Sequence, residues 1–285
     1  MGHLRDRMEA DLRLAGYSPS TRKIYLCYAR LFAKYHMRSP AEMGEEEIRQ
    51  YLLHMVEKKK ISHETYRQIR AALIFLFTIT LRRSTEVEYL PVRRKRVRLP
   101  IVLSGTEVQA LLDAVRIPKY HAIVMAQYAG GLRISEACRL RPEDIDSKRM
   151  VIHVRAGKGG RDRYTVLSER FLAFLRDYFR KNRPQEWLFP GQTAAGHASP
   201  ETSRRVFHAA IASARISKKV TPHVLRHCFA THLLESGVDI AVIQALLGHG
   251  SLRATEVYTH VSVEHIGRVK SPLDLLGTPA AKPLG

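Results

Sequence analysis

The chain has 285 residues, with 47 Lys and Arg against 27 Asp and Glu, a formal charge of +20. That length allows one large domain or two ordinary ones, and 45% apolar residues are enough for a packed core, which excludes global disorder. The longest apolar stretch, Ala71 to Leu81, is too short for a bilayer, and scattered Cys27, Cys138 and Cys228 make neither a disulfide scaffold nor a thiolate zinc site.

The first ninety residues read as helices. Charges at Arg5, Asp6, Arg7 and Glu9 speak against a signal peptide. Leu4, Met8 and Leu12 have helical spacing and Gly16 offers a stop. Ser18-Pro19-Ser20 opens a second helix, whose Tyr25, Tyr28, Leu31, Phe32 and Tyr35 are expected on one core-facing side. A third helix carries Ile48, Leu52 and Met55, and a fourth, capped by Ser62, carries Ile69, Leu73 and Leu76 to about Leu81. Pro91 and Pro100 then bracket Arg93-Arg94-Lys95-Arg96-Val97-Arg98, a run that favours an extended linker.

Ser104-Gly105-Thr106-Glu107 is a capping signal that starts a second region. A further helix should run to Gly130-Gly131. Residues 150–154 and 164–167 read as a hairpin with a glycine-rich tip at 156–162, and amphipathic helices are expected around 169–181, 201–214, 223–236, 239–247 and 251–258. The fold class is therefore mainly α with a small β-sheet.

A surplus of +20 draws a protein to polyanions without naming one. Residues 1–98 carry 21 basic and 11 acidic side chains and residues 99–285 carry 26 and 16, so each part holds +10. The Arg93–Arg98 run fits either a solvated linker or a strap that tracks phosphates. Four other places could do chemistry. Arg133 follows the double glycine at 130–131, Lys158 sits among glycines on the hairpin tip, and His223 and Arg226 share a helical face. His249 lies between Gly248 and Gly250, with Tyr258 beyond it. A histidine–arginine pair suits a phosphate group. A phosphate-binding P-loop does not fit the glycines around Lys158, and an HExxH zinc helix fails because Val224 follows His223.

Together these residues carry a resemblance. Arg133 in GLRISE, Lys158 in GKGGRDR, HVLRH from His223 to His227, His249 in LLGHGS and Tyr258 in VYTHV occur in the order and approximate spacing of the tyrosine recombinase (phage integrase) family. The chain is similar to that family over nearly its whole length, most strongly over 101–262. Its body looks nearest to Xer-type and mobile-element integrases, while Val269 to Asp274 resembles the tail of integron integrases. The resemblance implies a four-helix core-binding domain at 1–90, a basic linker at 91–100, and an α+β catalytic domain at 101–285 ending in a C-terminal exchange segment. It implies a catalytic set of Arg133, Lys158, His223, Arg226, His249 and the nucleophile Tyr258, with Glu136 orienting its neighbours. Arg93, Arg94, Lys95, Arg96, Arg98 and Arg161 would contact DNA.

By the same resemblance the activity is site-specific cleavage and rejoining of DNA through a 3′-phosphotyrosyl intermediate, for integration, excision or dimer resolution. It needs no cofactor, metal or ATP. The expected partner is double-stranded DNA, engaged by a homo-tetramer on paired sites, with a second recombinase or directionality factor as a further partner and no membrane. The expected location is the cytoplasm, with the nucleoid. Ile266, Leu273, Leu275 and Leu276 are the apolar candidates for a segment passed to a neighbouring subunit. A type IB topoisomerase-like relaxase, a DNA-binding protein without catalysis and, more remotely, a metallohydrolase are the alternatives.

Overall fold

A computed structural model of the chain describes residues 2–93, 101–155, 162–192, 196–248, 270–274 and 276. It divides into two compact units, Met1–Arg98 and Leu99–Gly285.

The first unit is a helical bundle. Its helices are α1 (Gly2–Leu14), α2 (Pro19–His36), α3 (Glu45–Glu57) and α4 (His63–Phe75). Ser18 and Ser62 cap α2 and α4 by accepting the N–H groups of Thr21 at 3.3 Å and Thr65 at 3.1 Å. The last expected turn of α4 is a π-helix, Leu76–Thr80. The tyrosine-rich side of α2 is not one buried face. Phe32 is buried with Ala29 and Ala33, whereas Leu31 and Tyr35 are exposed. At 100° per residue the five expected positions span about 120° of the helix. The tyrosines instead meet α4 at its side, with Tyr28 Oη donating to Gln68 Oε1 at 3.1 Å and the Tyr25 ring 6.4 Å from that of Phe75. The chain leaves this unit stapled to α4, with Arg70 donating to Leu90 O at 2.9 Å and Tyr66 to Pro91 O at 2.8 Å.

Among its described residues the second unit packs seven α-helices about a small sheet. In chain order these are α5 (Gly105–Ala114), α6 (Pro118–Ala129), α7 (Ile134–Cys138), strands β1 (Ile145–Asp146), β2 (Val151–Val154) and β3 (Arg163–Val166), then α8 (Glu169–Asn182), α9 (Pro200–Ser213), α10 (His223–Glu235) and α11 (Ile240–Leu247). Every residue of α6 from Ala122 to Ala129 is buried, so this helix is the axis of the core. The sheet is antiparallel in the order β1-β2-β3, with Val151 opposite Val166 and Val154 opposite Arg163. The two-stranded hairpin of the sequence reading thus gains a third strand, and β1 is too short to show a period of two. The mostly helical class with a small sheet is borne out. The expected helix at 251–258 lies outside the described residues. No helix among the described residues is long and apolar enough to cross a membrane.

Residues 271–274 and 276 dock on their own unit. Leu273 is fully buried in its core and Leu276 packs against it. Ser271 Oγ donates to Ala129 O at 2.7 Å, and Asp274 accepts Ser168 Oγ at 2.6 Å and the Arg170 N–H at 3.1 Å, at the start of α8. Ile266 and Leu275 lie outside the described residues.

Candidate active site

The site begins at the turn between α6 and α7. Gly131 has φ +63°, and a Cβ there would fall 2.6 Å from Phe229 Cδ1 and 2.9 Å from Leu247 Cδ2. Only glycine combines that backbone with that clearance. The turn can therefore press against α10 and α11, and its carbonyl accepts Arg226 Nη1 at 2.7 Å.

Glu136, on α7, is the centre of the cluster. Its Oε2 accepts the Arg133 N–H at 2.8 Å and its Oε1 the Arg133 guanidinium at 2.6 Å. Arg163 of β3 meets both oxygens as a fork, at 3.1 and 2.8 Å. Arg226 Nη1 stands 3.9 Å from Oε2, and its Nη2 donates to Leu247 O. The side chains of Glu136, Arg163 and Arg226 are 8%, 9% and 3% exposed, while Arg133 is 23% exposed and reaches solvent. Arg133 also lines a cleft of about 500 Å³ walled by Arg139, Arg141, His153, Arg155 and Trp187.

Burial alone would raise the Glu136 pKa. The Arg163 fork overrides it and, with the Arg133 contacts, brings the pKa down to about 2. Arg226 moves the other way. Burial first, then the charges of Arg133 and Arg163, lower its pKa to about 9, which leaves it charged at neutral pH. Three guanidiniums around one carboxylate carry a net positive charge in a largely dry pocket. That is an arrangement made for an anion.

His223 opens α10 one turn before Arg226, its ring 4.8 Å from that of His227. It lies at the surface, yet partial desolvation and then the charges of His227, Arg226 and Arg133 lower its pKa below 6.5. An imidazole kept neutral beside guanidiniums can accept a proton. Cys228, two residues after Arg226, is buried, and its Sγ accepts the Leu103 N–H at 3.2 Å.

Arg133, Glu136, His223 and Arg226 are thus gathered from two stretches of sequence. Lys158, Arg161, His249, Tyr258, Arg94, Lys95, Arg96 and Arg98 lie outside the described residues. Arg93 is turned onto its own unit, where its guanidinium donates to Ile61 O at 2.8 Å. Arg163 escaped the sequence reading although it ends the GKGGRDR motif. The strand's period of two carried no signal for it, since it groups Arg163 with polar Thr165 on a face that reads as solvent-facing, whereas Thr165 is fully buried and its hydroxyl donates to Gly130 O at 2.8 Å. Among the described residues no three His, Cys, Asp or Glu side chains converge on a point where a metal could sit.

Residues 102–265 match the model of the phage integrase family, and residues 4–86 match that of the phage integrase N-terminal SAM-like domain. A Sinorhizobium fredii protein named as a candidate integrase/recombinase is 44% identical over 99% of this chain and 92% of its own. The tyrosine recombinase XerA of Thermococcus kodakarensis is 31% identical over 95% of each chain. Among solved structures, XerA recombinase aligns with a TM-score of 0.50 and 28% identity, over 92% of this chain and 94% of that one. A lambda integrase dimer bound to a COC′ core site shares the fold, with a TM-score of 0.73 at 20% identity over 88% of this chain and 95% of that one.

Proposed function

The chain belongs to the phage integrase (tyrosine recombinase) family and is an enzyme of site-specific DNA strand exchange, and on that premise we propose that Arg133, Lys158, His223, Arg226, His249 and Tyr258 carry the reaction. The observation that supports this most is the meeting of Arg133 and Arg226, from separate elements, at Glu136, with His223 one helical turn away.

A phosphodiester gains negative charge as a nucleophile adds. Guanidiniums on its non-bridging oxygens therefore bind the transition state more tightly than the ground state. A tyrosine with an ordinary pKa of about 10 is almost wholly protonated at neutral pH. In this reading Tyr258 Oη attacks phosphorus while neutral His223 takes its proton. The bond to the 5′-oxygen breaks, and Lys158 supplies the proton that leaving group needs. His249 hydrogen-bonds the phosphate. The product is a 3′-phosphotyrosyl ester that keeps the energy of the bond broken. A 5′-hydroxyl of a second strand then reverses the step.

The partner is double-stranded DNA, approached by a basic surface that includes Arg93, Arg94, Lys95, Arg96, Arg98 and Arg161. The domains are a core-binding domain at 1–90, a linker at 91–100 and a catalytic domain at 101–285. The enzyme works as a homo-tetramer on paired sites, with or without a second recombinase or directionality factor, in the cytoplasm at the nucleoid. The segment passed between subunits is the C-terminal one, with Ile266, Leu273, Leu275 and Leu276 as its apolar candidates, and in the single chain Leu273 is buried against its own unit.

The test is covalent capture. With EDTA present, the protein should form an SDS-stable 3′ adduct with a nicked suicide duplex, and Tyr258→Phe should abolish it. An adduct surviving that change sinks the nucleophile, and a requirement for divalent metal sinks the mechanism.

A further inference from the structure

Arg163 opens β3, the strand that follows Lys158 in the chain. Each face of its guanidinium is engaged. Nη1 and Nη2 fork onto Glu136, and Nε donates to Leu246 O at 3.0 Å. Leu246 belongs to the last turn of α11, and Gly248 caps that helix with φ +62°. A Cβ on Gly248 would fall 2.6 Å from Arg163 Cδ, so the chain entering His249 is moulded around the arginine stem. One side chain thus ties together the segment holding Arg133 and Glu136, the strand after Lys158, and the helix end before His249. With a side chain only 9% exposed, it is placed to hold protein rather than DNA.

Its charge has a second consequence. Glu136 has Arg133 at 2.6 Å and Arg226 at 3.9 Å. Left to those two alone, the carboxylate would spend on itself the positive charge a phosphate requires. The fork from Arg163 satisfies both carboxylate oxygens first. We propose that Arg163 is a positioning residue for strand transfer: it neutralises Glu136 and grips the end of α11, so that Arg133 and Arg226 face the scissile phosphate with their charge intact. This rests on the roles given to Arg133 and Arg226 above.

The experiment uses the full chain and a suicide duplex built on the sequence that the wild-type protein captures covalently from a library of randomised duplexes. Single-turnover cleavage by Arg163→Met should be slower by about 10²-fold, the scale of a displaced catalytic group, while affinity for the same duplex stays near wild type. Arg163→Lys keeps a charge but cannot both fork and reach Leu246, so it should rescue little. The decisive variant is the double change Arg163→Met with Glu136→Gln. Removing the uncompensated carboxylate should restore about tenfold over Arg163→Met in the single-turnover rate of folded, DNA-saturated protein, a readout that a loss of stability alone would not move.

Wild-type cleavage by Arg163→Met, or a double variant no faster than the single one, overturns the positioning role and leaves the enzyme's activity standing. If Arg163→Met does not fold, Arg163→Lys carries the test alone, and a wild-type rate in it overturns the proposal. A wild type that captures no duplex overturns the functional reading instead, so the two failures are distinguishable.

Discussion

Glu136→Gln is the most informative single change to the cluster. It conserves shape and the acceptor for the Arg133 N–H, but leaves Arg133, Arg163 and Arg226 without their shared carboxylate. The magnitude follows from the pKa. A carboxyl lowered from 4.5 to about 2 on folding contributes about 3 kcal/mol at neutral pH, at 1.36 kcal/mol per unit. That agrees with the 3–5 kcal/mol or so typical of breaking a buried ion pair from one side. Because the folded pKa lies below the unfolded one, the contribution is complete above pH 4.5 and fades as pH falls towards 2. Urea unfolding at pH 7 should show the variant less stable by about 3 kcal/mol, and the gap to wild type should narrow steadily below pH 4.5. Added sulfate should recover more stability in the variant than in wild type, because an anion can replace the missing charge. A variant within about 0.5 kcal/mol of wild type at pH 7, the range of an ordinary surface change, would refute the claim that the carboxylate holds this cluster together.

Three more outcomes follow from the geometry. Arg133→Ala and Arg226→Ala should each slow cleavage by about 10² to 10³-fold, but only the second should also lower the melting temperature strongly, since Arg226 is 3% exposed and holds the carbonyls of Gly131 and Leu247; equal stability losses would refute this division. At subsaturating DNA, where the free enzyme's ionisation is read, the acidic limb of the cleavage profile should fall below pH 6.5 and flatten in His223→Gln; a limb well above that value removes His223 as the base. Leu273→Ala should cost about 2–5 kcal/mol, with a melting temperature independent of protein concentration because the segment docks on its own unit; a concentration-dependent transition would place that docking between chains.

What the sequence made legible was whatever local chemistry writes into short stretches. Ser18, Ser62 and Ser104 announce their helices because a hydroxyl before an apolar period has little else to do. Arg133, His223 and Arg226 were legible because their motifs recur together in one family. Arg163 was not, since its partner Glu136 is 27 residues away in the chain and only the fold turns it inward. The buried face of α2 was misjudged for a related reason. Aromatic residues attract attention, whereas Ala29 and Ala33, buried beside Phe32, carry almost no signal of their own. Strand β1, with two residues, has too little length for any period.

The charge balance of the cluster ties these observations to the reaction. Arg163 and Glu136 form a pair whose charges cancel, so the charge left over is that of Arg133 and Arg226, two positive units. A phosphodiester carries one negative charge in its ground state and approaches two as a nucleophile adds without a proton. A pocket holding two positive units is therefore matched to the second condition rather than the first. Matching the ground state alone would tighten DNA binding without raising the rate. Burial sharpens the distinction, because an arginine held at a pKa of about 9 by desolvation and like charge gains most when the opposing charge is greatest. The same pressure explains why Arg226 is fastened to two backbone carbonyls, which hold a cation in place before the anion arrives. The dispersed +20 of the chain can bring DNA to the surface, but only this small imbalance, fixed by one buried ion pair, can favour the transition state over the bound strand.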